Sequence, residues 1–143
     1  MPPALPPRLL SSETDAGRIE EFRQSLDTAE RAFSRDAQQV GLRAAFARYG
    51  RADAVNMGGP ARSQFVVGAD SIGAVVGVDE PESGSSVSWA PDRVIVASSG
   101  DLGVTIGTIV ANQPDSAGVT AKFPFFTVWR RDSVDEPWRY VAE

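Results

Sequence analysis

The sequence predicts an α+β domain in which helices come first and antiparallel strands follow. Apolar residues recur at helical spacing up to Tyr49, and β-branched segments bounded by turn residues fill the chain from Val87 onward. With 143 residues, 42% hydrophobic and 23% charged, the chain is long enough to bury one core. We therefore expect the helices to pack on one face of a curved sheet.

The first predicted helix covers residues 18–40, where apolar residues alternate spacings of three and four, as one buried helix face requires. That face consists of Ile19, Phe22, Leu26, Ala29, Phe33, Ala37 and Val40. Asp27 followed by Glu30 matches a capping box, so two shorter helices are an alternative. Beyond Gly41, the same spacing predicts a second helix that ends at Gly50. Its apolar face consists of Leu42, Ala45, Phe46 and Tyr49.

The middle of the chain predicts short elements separated by turns. Residues 54–57 and 64–67 are typical of brief strands, and residues 69–77 place apolar side chains at helical spacing. Residues 79–86 are polar and predict a loop.

Four further strands are predicted in the last part of the chain, over residues 87–97, 102–111, 119–131 and 138–142. Gly103 and Gly107 lie inside the second of these strands and have no phosphate-loop context. Glycine inside a strand allows the sheet to bend or another backbone to approach, and we expect that role here.

The domain organisation follows from composition. Residues 1–17 begin with a proline-rich stretch that predicts a flexible tail, and residues 18–143 form a single domain. The start lacks the basic and apolar regions of a signal peptide. A cytoplasmic location is the default, and an exported protein with a removed signal remains open.

Composition excludes several functions. The net charge of -5 argues against a protein that coats nucleic acid. Without cysteine or histidine, the chain has no thiolate nucleophile, no histidine-based triad and no Cys/His metal site. The acidic stretch at residues 79–82 is interpreted as a solvated loop rather than a calcium site. We predict no metal, no cofactor, no nucleic-acid partner and no membrane association.

Three groups of motifs resemble one known superfamily in their order and spacing. They are Ala29-Glu30-Arg31-Ala32-Phe33, Ser99-Gly100-Asp101-Leu102-Gly103 and Phe126-Thr127-Val128-Trp129-Arg130-Arg131. Over residues 26–143 the chain resembles the uncharacterised branch of the SnoaL-like, ketosteroid-isomerase-like superfamily, also called nuclear-transport-factor-2-like. The resemblance implies a cystatin-like cone, in which a curved antiparallel sheet wraps around N-terminal helices and encloses an apolar pocket. Many such relatives are homodimers.

Catalytic members of this superfamily use a carboxylate base with a tyrosine or a protonated acid as hydrogen-bond donor, and no position here matches either by motif. Placement leaves Asp53 and Tyr49 as weak catalytic candidates, each with a structural alternative: a turn residue for Asp53 and a core residue for Tyr49. The predicted ligand-binding residues are Phe46, Tyr49, Met57, Phe65, Trp89 and Arg93. For Arg93 a surface position is the favoured alternative.

The sequence is compatible with three functions. The first is a non-catalytic module that holds a small apolar molecule in the cone. The second is an isomerase, dehydratase or cyclase that acts on a polycyclic or lipid-like substrate with a pocket carboxylate. The third is a dimerisation domain with a filled cone. We also predict a homodimer through the sheet, because the strand at residues 119–131 carries apolar side chains on both faces.

Overall fold

Six β-strands form one curved sheet in the computed structural model, which describes residues 12–59 and 61–143. Within these residues the order of elements is α1 (Ala16–Val40), α2 (Leu42–Tyr49), β1 (Gly50–Asn56), β2 (Val66–Val67), α3 (Ala69–Val76), β3 (Val87–Val96), β4 (Leu102–Ala111), β5 (Lys122–Arg130) and β6 (Arg139–Ala142). Most of the predicted tail, residues 1–11, lies outside the described residues. No helix in the described ranges is both long and apolar enough to cross a membrane.

The first helix is continuous, so the alternative of two helices is wrong. Asp15 caps its start by accepting a hydrogen bond from the backbone N–H of Gly17 at 2.8 Å. The suspected capping box in mid-helix does not form, because Asp27 pairs with Arg31 at 2.6 Å and Glu30 is buried. The helix ends at Gly41, whose φ of 87° favours glycine.

The sheet has the strand order β2-β1-β6-β5-β4-β3. Its pairs are antiparallel except β1 with β6, which run parallel. The expectation of a purely antiparallel sheet is therefore corrected to a mixed sheet. The parallel pair joins strands from distant parts of the chain, and no local sequence pattern specifies such a pairing.

The inner face of the sheet packs on α1. Its core includes Leu26 and Phe33 from the helix, with Trp129 and Tyr140 from the sheet. A Cβ atom added at Gly103 would lie 2.4 Å from the Leu26 side chain, and one added at Gly107 would lie 2.1 Å from the Ala90 carbonyl. These contacts confirm that glycine allows close approach in this strand.

The outer face of the same strands is apolar. Ile106 lies opposite Phe126, and Val104 lies between Ile95 and Val128 in the strand register. Phe126 is 58% exposed and Ile106 is 37% exposed in the single chain. The prediction that both faces of this strand carry apolar residues is confirmed, because Trp129 is fully buried on the inner face.

Candidate functional site

A cavity of about 340 Å³ lies between the helices and the inner face of the sheet. Its apolar wall includes Phe33, Leu42, Phe46, Val76, Val87, Trp89, Ile109 and Phe125. Two carboxyl groups, those of Glu30 and Glu143, also line it. The cone is therefore not filled by side chains, and its apolar wall carries acidic groups at two places.

Glu30 is 1% exposed, yet each of its oxygens has a partner. One oxygen accepts from the indole N–H of Trp89 at 2.7 Å. The other accepts from the Thr105 hydroxyl at 2.7 Å and from the indole N–H of Trp129 at 2.8 Å. Indole nitrogens only donate, so Glu30 is the acceptor that satisfies two buried tryptophans. Burial raises the pKa of Glu30, and these three donors partly oppose that rise.

Glu143 lines the cavity from the residue that follows β6. Its carboxyl accepts from the side-chain amide of Asn56 at 3.1 Å and also hydrogen-bonds with Thr127. Burial, and next the negative charge of Glu30, raise the pKa of Glu143 to about 8. At neutral pH this carboxyl is therefore predominantly protonated, and it can gain or lose a proton near physiological pH.

The ionisable side chains that the structure places in the cavity wall are all acidic. Among the described residues that line it, the ionisable side chains are the two glutamates, with no arginine or lysine. No group of three or more acidic side chains within the described ranges is arranged to hold a metal ion. The arrangement can hold an apolar molecule and offer it a carboxyl group for hydrogen bonding, ion pairing or proton transfer.

The predicted ligand-binding residues separate into two sets. Phe46, Met57 and Trp89 line the cavity, and Met57 is 62% exposed. Phe65 is 63% exposed and borders a different, shallow depression beside Met57. Arg93 is exposed on β3 opposite Ile106, on the outer face of the sheet.

The two weak catalytic candidates lie elsewhere. Asp53 is exposed and pairs with Arg51 at 3.3 Å, on the surface away from the cavity. The Tyr49 ring stacks on Phe33 with ring centroids 4.9 Å apart, and its hydroxyl donates to Asp36. Tyr49 therefore packs against the core, as its structural alternative predicted, whereas Asp53 lies within β1 and not at a turn.

Sequence reasoning missed both cavity carboxyls. The burial of Glu30 could have been predicted, because it lies four residues after Leu26 and three before Phe33, on the buried face of the helix. Ala29 fits the same helical spacing and is apolar, so the pattern was assigned to Ala29 instead of Glu30. Glu143 had no local signal, since its burial depends on contacts with β1 and β5.

Solved structures share this architecture. A ketosteroid isomerase-like protein from Erwinia carotovora atroseptica is 18% identical, with a TM-score of 0.55 over 90% of this chain and 94% of that one. A nuclear-transport-factor-2-like protein with a cystatin-like fold from Novosphingobium aromaticivorans is 16% identical, with a TM-score of 0.59 over 90% and 87%. The association domain of C. elegans CaMKII is 12% identical, with a TM-score of 0.62 over 87% and 95%.

These likenesses are structural, since no protein-family model and no curated protein matches the sequence. The chain has the cystatin-like fold of nuclear-transport-factor-2-like and ketosteroid isomerase-like proteins. The fold predicted from the sequence motifs is thereby confirmed. Because one fold hosts many functions, the fold alone does not determine what this site does.

Replacing Glu30 by glutamine is expected to destabilise the domain by about 1–3 kcal/mol, the cost of an unsatisfied buried donor. The new amide NH2 has to face at least one of the two indole N–H groups, which then loses its acceptor. Urea unfolding followed by tryptophan fluorescence measures the effect. Glu21→Gln, on the exposed side of the same helix, is the matched control and should change stability by less than about 0.5 kcal/mol. Equal stability of Glu30→Gln and wild type would contradict this role.

The free energy of unfolding is expected to fall as pH rises from about 5 to 9. The folded-state pKa of Glu143 is raised from 4.5 to about 8, so the folded state holds a proton that the unfolded state releases. The slope from this residue is at most about 1.4 kcal/mol per pH unit. Glu143→Gln should flatten the profile and be more stable than wild type at about pH 9, by about 1–3 kcal/mol.

The control for this pH profile is Glu136→Gln, because Glu136 is exposed to solvent. It should reproduce the wild-type slope in urea titrations at each pH. If Glu143→Gln keeps that slope as well, the carboxyl is not held protonated in the folded state.

Proposed function

We propose that this domain binds a small, predominantly apolar molecule in its cone. The observation that carries the proposal is the cavity of about 340 Å³, whose wall is predominantly apolar apart from Glu30, Glu143 and Thr127. This volume lies at the lower end of the range of small-molecule sites, about 300–1,000 Å³. Apolar walls supply the binding free energy, and a few polar groups orient the ligand.

Three of the predicted residues have direct roles in this proposal. Phe46 and Trp89 provide flat aromatic walls for the apolar body of the ligand. Met57 lines an exposed part of the cavity, where its flexible side chain adapts to the shape of the ligand. The indole N–H of Trp89 is already donated to Glu30, which holds the orientation of this wall. Glu143 is the group that meets the polar part of the ligand.

An acid–base enzyme is the second candidate, and one observation favours it. Glu143 is a carboxyl in an apolar cavity with a pKa of about 8, so it can exchange a proton at neutral pH. In this version Glu143 replaces Asp53 as the candidate base. Recovery of a bound compound in altered form, lost in Glu143→Gln, would favour the enzyme, and recovery unchanged favours the binding module.

We propose that two copies pair through the outer face of the sheet. Ile95, Ile106 and Phe126 are exposed there at 44%, 37% and 58%. Exposed apolar patches of this kind usually mark interfaces, and twofold pairing is the commonest arrangement. One structure of the same fold is an association domain, which is compatible with self-assembly. The alternative predicted from the sequence is that the proline-rich tail or the first helix of the same chain covers this face, and α1 packs on the inner face instead.

Filling the cavity should abolish ligand binding. Ile109→Trp places a larger side chain in the cavity wall, and we expect at least about tenfold weaker binding of the neutral dye Nile red, by loss of the apolar volume. Val110→Trp adds the same side chain to the next residue of β4, which points to the opposite face, and should bind like wild type. Fluorescence titration measures both, with circular dichroism as a check on folding. Equal binding by both variants would contradict the cavity as the site.

Sedimentation at micromolar concentration tests the dimer. Wild type should sediment with twice the 15.2 kDa mass of one chain. Ile106→Asp should give a monomer, because burying an unpaired carboxylate at the centre of the interface costs several kcal/mol. Val78→Asp is the control, since Val78 is 59% exposed in a loop away from this face. A wild-type protein that is monomeric would reject the dimer and favour coverage by the chain's own first residues.

A further inference from the structure

We infer that the ligand class of this cavity is the lipophilic amine, with its ammonium group paired to Glu143 beside Glu30 and its apolar body against the aromatic wall. This inference rests on the proposed binding function and adds the chemistry of the ligand's polar group.

The sign of the charge in the cavity wall favours a cationic ligand. Both ionisable groups that line the cavity among the described residues are acidic. Ionising both leaves two negative charges in apolar surroundings without a cation, and such an arrangement is costly. A bound ammonium group supplies the missing positive charge, whereas a carboxylate ligand would add a third negative one.

The two glutamates differ in their free acceptor sites. Glu30 already accepts three hydrogen bonds from Trp89, Thr105 and Trp129. Glu30 therefore acts on a bound ligand through its negative charge and not through further hydrogen bonds. A carboxylate has about four lone-pair sites, and Glu143 has protein partners in Asn56 and Thr127. Glu143 thus retains acceptor sites for the N–H groups of an amine.

The aromatic wall of the cavity also favours an ammonium group. Phe33, Phe46, Trp89 and Phe125 line the same cavity as the two carboxyl groups. An ammonium ion is attracted by aromatic faces as well as by carboxylates, and the effect is largest where water is excluded. The rings also cover the hydrocarbon part of such a ligand. A lipophilic amine is therefore complementary to both components of the site.

The surroundings of Glu143 determine how amine binding depends on pH. Asn56 of β1, Thr127 of β5 and Glu30 of α1 act on its carboxyl, and Tyr140 of β6 is close enough for its own pKa to be raised by Glu143. The Tyr140 hydroxyl donates to the Phe46 carbonyl and keeps its proton. Below the Glu143 pKa of about 8, binding of an ammonium group has to expel the carboxyl proton.

Three ligands of nearly one shape test the inference: phenylbutylamine, phenylbutanol and phenylbutanoate, measured by calorimetry with the full chain. At about pH 8 we expect the amine to bind about 10- to 100-fold more tightly than the alcohol, from a charge-assisted hydrogen bond. The butanoate should bind more weakly than the alcohol.

The pH dependence gives a second measurement that needs no variant. Amine affinity should rise by up to about tenfold per pH unit from about pH 6 to 8, as Glu143 ionises, while alcohol affinity stays constant. Calorimetry at about pH 7 in buffers of different ionisation enthalpy should show release of close to one proton with the amine and none with the alcohol.

Glu143→Gln should bring amine affinity down to that of the alcohol, and Glu136→Gln should retain the wild-type preference because Glu136 is exposed. Equal affinity for all three ligands, or preference for the butanoate, would overturn the amine inference and leave the binding function standing. Failure of all three ligands together with Nile red would overturn the proposed function itself. Amine binding without proton release at about pH 7 would also overturn the pairing with Glu143.

Discussion

The rest of the structure depends on the hydrogen bonds of Glu30, because they join α1 to three adjacent strands. Its two oxygens accept from Trp89 in β3, Thr105 in β4 and Trp129 in β5. Burial of the apolar stripe turns that face of the helix inward, but this force is non-directional and leaves small rotations of the helix within the cone. Hydrogen bonds to donors on three strands remove that freedom, since an indole N–H without an acceptor in the core is costly. The polar network therefore fixes the orientation of the helix face that the apolar stripe turns toward the cavity.

The cavity remains open because rigid rings meet around it. Phe33, one turn after Glu30, contacts Phe46 and Trp89 edge-on, with ring centroids 4.7 and 5.0 Å apart, and stacks on Tyr49. Aromatic rings prefer such offset and edge-to-face contacts, and they do not collapse into a gap as a flexible side chain would. The helix thus carries the carboxylate that positions the sheet and, beside it, the ring that supports the cavity wall.

Two glutamates in one cavity have different properties because their partners differ. Glu30 has every partner that it needs within the protein, so its carboxylate is structural and supplies charge. Glu143 has fewer partners, and burial, followed by the nearby charge of Glu30, raises the pKa of its carboxyl to about 8. The group that has fewer hydrogen-bond partners in the protein is the one that can still accept from a ligand, and this asymmetry underlies both the proposed binding function and the inferred preference for an amine.

The sequence by itself determined the helices, the strands and the two apolar faces of β5. The reason is that the spacing of apolar residues is a local property, and it decides which side chains can face the core. Phe46 and Trp89, two of the predicted ligand-binding residues, line the cavity. Arg93 has the surface position that the sequence favoured, and a β-bulge between Pro91 and Arg93 shifts the alternation so that its side chain points outward. Only the tertiary structure decided the parallel pairing of β1 with β6 and the meeting of Glu30 with Glu143. Both join distant parts of the chain, and burial of a carboxyl depends on what packs around it, which no local pattern encodes.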